Sequence, residues 1–139
     1  MRPRYLIDTS ALLRVQKSPE VASVVAPLLG RGSIAICTPV LLEVMYAARA
    51  TEYEKALKTI KAAMTVFPVT EESSERAAEV QRLLARKSQH RTAKAPDLLI
   101  AACAEVNRLV TLHYDRDYDA IAAVTNQPVK WVVPAGSVN

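Results

Sequence analysis

Short apolar runs alternate along this chain with longer stretches whose apolar residues return every three or four positions. Residues 4–8, SIAIC (33–37), VTLHY (110–114) and VKWVV (129–133) are compact and mostly apolar, and they read as strands. TVFPV (65–69) reads as a further short strand, which Pro68 confines to a sheet edge. Helix signals fill the intervals. A short helix is predicted over residues 10–16, and Ser18-Pro19 then supplies a cap and a first-turn proline to a helix ending at Gly30. Thr38-Pro39 repeats that signal ahead of VLLEVMYAARA, which predicts a helix to Ala50. Thr51 and Glu54 have capping-box spacing, and behind them Ala56, Leu57, Ile60, Ala63 and Met64 fall on one helical face. Thr70 starts a long helix to about Arg86. SQHRTAKA (88–95) interrupts the pattern, Pro96 opens DLLIAACAEVNRL, and DYDAIAAVT (117–125) is a last short helix.

Strands separated by helices need crossover connections, and crossovers favour parallel pairing with helices on both faces. The expected fold is α/β, a three-layer sandwich around a mainly parallel sheet of four to five strands. No internal repeat or linker divides the chain, so residues 1–139 are expected to form one domain.

Ligands of such sheets gather at the carboxyl ends of the strands, and there the acids stand out. Asp8 closes the first strand in RYLIDTSALL, a carboxylate between two core-forming segments with no cation beside it. Asp115 follows VTLHY directly, with Asp117 two residues on. Glu43 lies in the second turn of the helix after SIAIC, and Asp97 lies in the first turn of the DLLIAACA helix. Taken singly, each has a plain use as a cap, a first-turn acid or a solvated side chain. Together they map to one edge of the sheet, where several close carboxylates repel and cannot all stay ionised. A hard divalent cation resolves that conflict, and an all-oxygen set suits Mg²⁺ or Mn²⁺. Zinc is disfavoured, because the two histidines, His90 and His113, lack ligand spacing with each other or with cysteine.

Composition narrows the choice of chemistry. With 3 glycines the chain has no GxGxxG or GKS/GKT phosphate loop. A net charge of +4 leans towards anionic partners. An acidic metal centre on a basic protein points to phosphodiester hydrolysis, with Lys and Arg holding the backbone. Ser10, two residues after Asp8, is placed to support a carboxylate or the phosphate. Cys37 and Cys103 lie in apolar runs and are expected to be buried free thiols, which fits the cytoplasm. The apolar run behind Arg2 and Arg4 is cut by Asp8, so no signal-peptide core is expected, nor a membrane span.

The order IDTSALL, LLEV, PDLLIAACA and TLHYDRDYDAIA resembles the PIN-domain ribonucleases, and within them the VapC-type toxins of type II toxin–antitoxin pairs. The resemblance runs from residue 4 to about 133. It implies a PIN-like fold and a catalytic acidic quartet of Asp8, Glu43, Asp97 and Asp115. Asp117 joins these as a metal ligand, and Ser10 is the supporting small polar residue. It further implies one or two Mg²⁺ or Mn²⁺ ions and cleavage of single-stranded or looped RNA, such as a tRNA or a ribosomal RNA loop, leaving 5′-phosphate ends. A homodimer and a VapB-type antitoxin that blocks the site are the expected partners. HRTAKA (90–95) departs from the glycine-containing stretch often found before the third acid.

Between Val80 and Pro96 there is no acid, while Arg82, Arg86, Lys87, Arg91 and Lys94 fall there. Lys87, Arg91 and Lys94 are therefore candidate RNA-binding residues, and Tyr114 and Tyr118 are candidate base-stacking residues. The apolar content of 39–64, including Met45, Tyr46, Leu57 and Ile60, suggests an interface for a second copy or an antitoxin. A catalytically inactive PIN-fold module binding RNA or protein is the alternative function. A phosphoacceptor receiver domain fits poorly, because Asp8 stands alone after its strand and Lys130 lies at the wrong end of the last one.

Overall fold

In the computed structural model, which describes residues 2–139, five parallel strands form one sheet in the order β3-β2-β1-β4-β5. The strands are β1 (Tyr5–Ile7), β2 (Ile34–Cys37), β3 (Thr65–Phe67), β4 (Val110–His113) and β5 (Val129–Trp131). Register is set by pairs such as Leu6 with Ala35 and Thr111, and Leu112 with Lys130. Seven helices flank the sheet: α1 (Thr9–Leu12), α2 (Pro19–Gly30), α3 (Thr38–Tyr46), α4 (Tyr53–Ala63), α5 (Glu71–Ala85), α6 (Ala95–Val106) and α7 (Asp117–Thr125). The expected architecture is therefore present, with the sheet wholly rather than mainly parallel. Pro68 falls one residue beyond β3, which is an edge strand as its proline requires.

The central strands are buried on both faces, as their unbroken apolar runs demand: Leu6, Ile7, Ile34, Ala35, Ile36, Cys37 and Leu112. Helix α6 is nearly as enclosed, with Leu98 and every residue from Ile100 to Ala104 buried. Its small side chains let α5 and α7 pack against it. Cys37 ends β2, Cys103 lies in the middle of α6, and both are free thiols with no exposed surface. A hydrogen bond to Cys103, reinforced by burial, pushes the Cys37 thiol well above its ordinary range.

Several helix limits differ from those expected. Helix α1 is shorter, ending at Leu12, and Asp8 caps it by accepting the Ser10 N–H at 3.0 Å. Helix α3 stops at Tyr46 rather than Ala50, because in the last turn only Ala48 packs against the core while Ala47, Arg49 and Ala50 are exposed. The Thr51 capping box does not form. Ala50–Glu52 is a 3₁₀ turn, and Glu52, with α-helical backbone angles, precedes α4 without a side-chain cap. An N-cap needs an extended residue to aim its oxygen at the first free N–H groups. Thr70 meets that condition ahead of α5, and it exchanges reciprocal hydrogen bonds with Ser73.

Thr70→Ala should lower stability by about 1 kcal/mol, whereas Thr51→Ala should stay within about 0.5 kcal/mol of the parent. Urea unfolding followed by circular dichroism measures both, and equal losses would contradict the assignment of the cap.

Candidate metal centre

Every acid singled out in the sequence arrives at the carboxyl edge of the sheet. Asp8 leaves β1, Glu43 rides on α3 behind β2, Asp97 sits in the first turn of α6, Asp115 follows β4, and Asp117 begins α7. Local chemistry sets each position. Pro96 in the first turn of α6 fixes that helix start, and Lys94 is its extended N-cap. Asp115 turns its Oδ1 back onto the Asp117 N–H at 2.9 Å, while its own N–H donates to His113 Nδ1. Ser10 Oγ accepts the Tyr114 N–H at 2.9 Å, which ties α1 to the end of β4.

Asp97, Asp115 and Asp117 each offer a carboxylate oxygen, and these oxygens lie within 4.8 Å of one another. A cleft of about 430 Å³ exposes Asp97 and Asp115 together with Asp8 and Glu43. Asp8 is its floor, only 4% exposed, and both of its oxygens are engaged. Oδ2 accepts the Ser10 N–H, and Oδ1 accepts the Tyr118 hydroxyl at 2.7 Å. Tyr118 itself has no exposed surface, so it cannot stack on a base as the sequence suggested. Burial and the charge of Asp8 push its phenol far above the ordinary range, so it serves Asp8 as a fixed donor. Tyr114 is half-buried, its ring edge-on to Trp131 and covered by the Arg14 guanidinium, and its hydroxyl bonds to Val138. It too is packed rather than presented for stacking.

The charge conflict expected from the sequence is visible in the acids' proton affinities. Burial, then repulsion from Asp8 and Asp115, pushes Asp97 up to about 6. Burial and Asp115 raise Asp117, which the positive charges of Lys94 and Arg116 partly offset. Glu43 is raised by partial desolvation and by Asp8, although the residue is exposed on the cleft side of α3. Three close oxygens, a fourth carboxylate locked by two donors and an unrelieved repulsion are what a divalent cation offsets. The donor set fits a metal ion that prefers oxygen.

Of Lys87, Arg91 and Lys94, only Lys94 lines the cleft; Lys87 and Arg91 are exposed in the segment between α5 and α6. Arg14 and Lys17, just after α1, line the cleft instead. The Ser10, Arg14, Lys17 spacing, about one helical turn apart, was their only mark in the sequence.

The family model described as PIN domain matches residues 5–124 and so takes in all five acids. Ribonuclease VapC51 of Mycobacterium tuberculosis is 45% identical over 140 residues, covering 100% of both chains. In fold, the chain is similar to one in DNA-bound VapBC from Salmonella typhimurium, with a TM-score of 0.73, 16% identity and coverage of 94% and 99%. It is also similar to one in a toxin–antitoxin complex from Klebsiella pneumoniae, with a TM-score of 0.71, 18% identity and coverage of 93% and 98%. The acids that close this cleft thus fall inside a recognised domain, and the chain belongs to the PIN-domain family, among its VapC ribonucleases.

Proposed function

We propose that this protein is a metal-dependent endoribonuclease, the toxin of a toxin–antitoxin pair, hydrolysing phosphodiester bonds in single-stranded or looped RNA. The observation that carries the reading is the meeting of Asp97, Asp115 and Asp117 within 4.8 Å, beside a cleft that also holds Asp8 and Glu43. Those five acids would hold Mg²⁺ or Mn²⁺, in line with an all-oxygen donor set. A bound divalent ion supplies charge neutralisation of the phosphate and a more acidic water.

The protein's own part is positional. Tyr118 and the Ser10 N–H fix both oxygens of Asp8, and the turn from Asp115 to Asp117 sets the angle between those two carboxylates. Ser10, whose Oγ is held by the Tyr114 N–H, keeps a hydroxyl proton of its own to offer a phosphate oxygen. Lys94 borders the acids and adds positive charge for the RNA backbone. No histidine is among the residues that line the cleft, and His113 is buried, so the reading calls for no histidine base.

A VapB-type antitoxin and a second copy of this chain are the partners in this reading. Exposed Leu42 and Tyr46 on α3, Leu13 after α1, and an apolar groove lined by Val44, Ala56 and Ile60 support such contacts. No helix among the described residues is long and apolar enough to cross a membrane. Two buried free thiols fit a reducing compartment, and we place the protein in the cytoplasm.

Asp97→Asn, Asp115→Asn and Asp8→Asn should each lower cleavage of an RNA panel in Mn²⁺ by about a hundredfold or more, and EDTA should abolish it. Cleavage that persists in Asp8→Asn would sink the nuclease reading, and RNA binding without any cleavage would favour the inactive module. Tyr118→Phe, which removes one donor to Asp8, should weaken Mn²⁺ binding by about 10- to 100-fold in calorimetry.

The raised acids give a pH signature. In EDTA the fold binds protons more tightly than the unfolded chain between the ordinary carboxylate range, about 4, and the Asp97 value of about 6. Stability should therefore fall as pH rises through that window, and Asp97→Asn should flatten the fall. Protons compete with the ion, so Mn²⁺ should raise the melting temperature at pH 7 and much less at pH 5. An equal rise at both would contradict the assignment.

A further inference from the structure

We propose that Arg14 is the substrate-positioning residue of this cleft, gripping an RNA phosphate next to the one that is cut; this rests on the nuclease reading above. An arginine beside a cluster of carboxylates ordinarily pairs with one of them. Arg14 does not: among the described residues, the side-chain ion pairs involve Arg76 with Glu79 and Glu105 only.

Its guanidinium is instead held by groups that orient it. One Nη1–H donates to Ser10 O, Nε–H donates to Asn139 O at 3.0 Å, and the Tyr114 ring lies 4.5 Å from Cζ. The ring is itself anchored, because the Tyr114 hydroxyl donates to Val138 O at 2.7 Å and accepts the Val138 N–H at 3.1 Å. A guanidinium has five N–H donors in a rigid plane, and two are used. Both Nη2 protons and one on Nη1 stay available, the fork that recognises a phosphate by two parallel hydrogen bonds.

The location follows from charge. Asp8, Asp97 and Asp115 in the same cleft repel a polyanion, and the scissile phosphate needs the metal to approach them. A neighbouring phosphate has no such help and needs a cation. Lys94 lines the cleft as well, but among the described residues no hydrogen bond fixes its side chain. Arg14 is the cation that is both unpaired with the cleft's side-chain carboxylates and held in place. Pre-set by two main-chain oxygens and a ring, it loses little side-chain entropy on binding RNA.

The test measures binding and cleavage separately, comparing wild type with Arg14→Gln, Arg14→Lys and Arg31→Gln. Arg31 is exposed where α2 gives way to β2, at the opposite edge of the sheet. Binding of a fluorescein-labelled mixed-sequence single-stranded RNA is followed by anisotropy in EDTA across a salt series, and cleavage of the same RNA is followed in Mn²⁺. Arg14→Gln should reduce the slope of log affinity against log salt by about 0.7 and raise KM about tenfold with kcat unchanged. Arg14→Lys should keep the slope, and Arg31→Gln should match wild type. The proposal is overturned if Arg14→Gln leaves slope and KM unchanged, if kcat falls instead of KM rising, or if Arg31→Gln has the same effect. Should Arg14→Gln fail to fold, Arg14→Lys decides: a slope lowered by about 0.7 overturns the proposal. In each of these outcomes metal-dependent cleavage by the wild type leaves the nuclease reading standing. Loss of that cleavage sinks both.

Discussion

Mutual repulsion among carboxylates is the constraint around which this molecule is arranged. Nothing in a hydrophobic α/β core calls for five acids at one sheet edge, and each added charge raises the cost of ionising the others. The fold tolerates the arrangement by dividing the labour. Asp8 is buried with one donor on each oxygen, and Asp97 holds its proton more tightly than a free aspartate. Glu43 stays at the open side. A cation completes that arrangement, and without one the edge keeps an internal strain.

Parallel topology delivers the acids without any one segment having to carry two distant ligands. Strands β1, β2 and β4 are neighbours in the sheet, so the chain positions that follow their ends are neighbours too. The acids that follow β1 and β4 come from sequence positions more than a hundred residues apart, and the link from Tyr118 to Asp8 spans the same distance. Closing such contacts is entropically expensive, and the buried strands and α6 supply the apolar burial that offsets it.

Much of this was legible in the chain. The strands announced themselves as unbroken apolar runs, and prolines 19, 39 and 96 marked helix starts that the structure keeps. Asp8, Asp97, Asp115 and Asp117 could be placed because strand ends and first helical turns are fixed by local signals. The Thr51 box failed because spacing alone does not say whether a backbone is extended. Tyr118 was misread because an aromatic between two aspartates looks exposed in sequence, while it shares the buried face of α7 with Ile121 and meets Asp8 there. Lys87 and Arg91 lie outside the cleft, since a basic run shows charge but not direction. Arg14 went unnoticed because its partners, Tyr114 and Asn139, are remote in the chain.

The two thiols between β2 and α6 have a practical corollary. Neither sulfur has exposed surface, and the hydrogen bond with Cys103, together with burial, disfavours the reactive anion of Cys37. A small alkylating reagent must therefore wait until the strand that leads to Glu43 and the helix that carries Asp97 separate. Its rate of uptake would clock that separation directly, making the native cysteines a built-in gauge of how firmly the two halves of the acidic edge are held together.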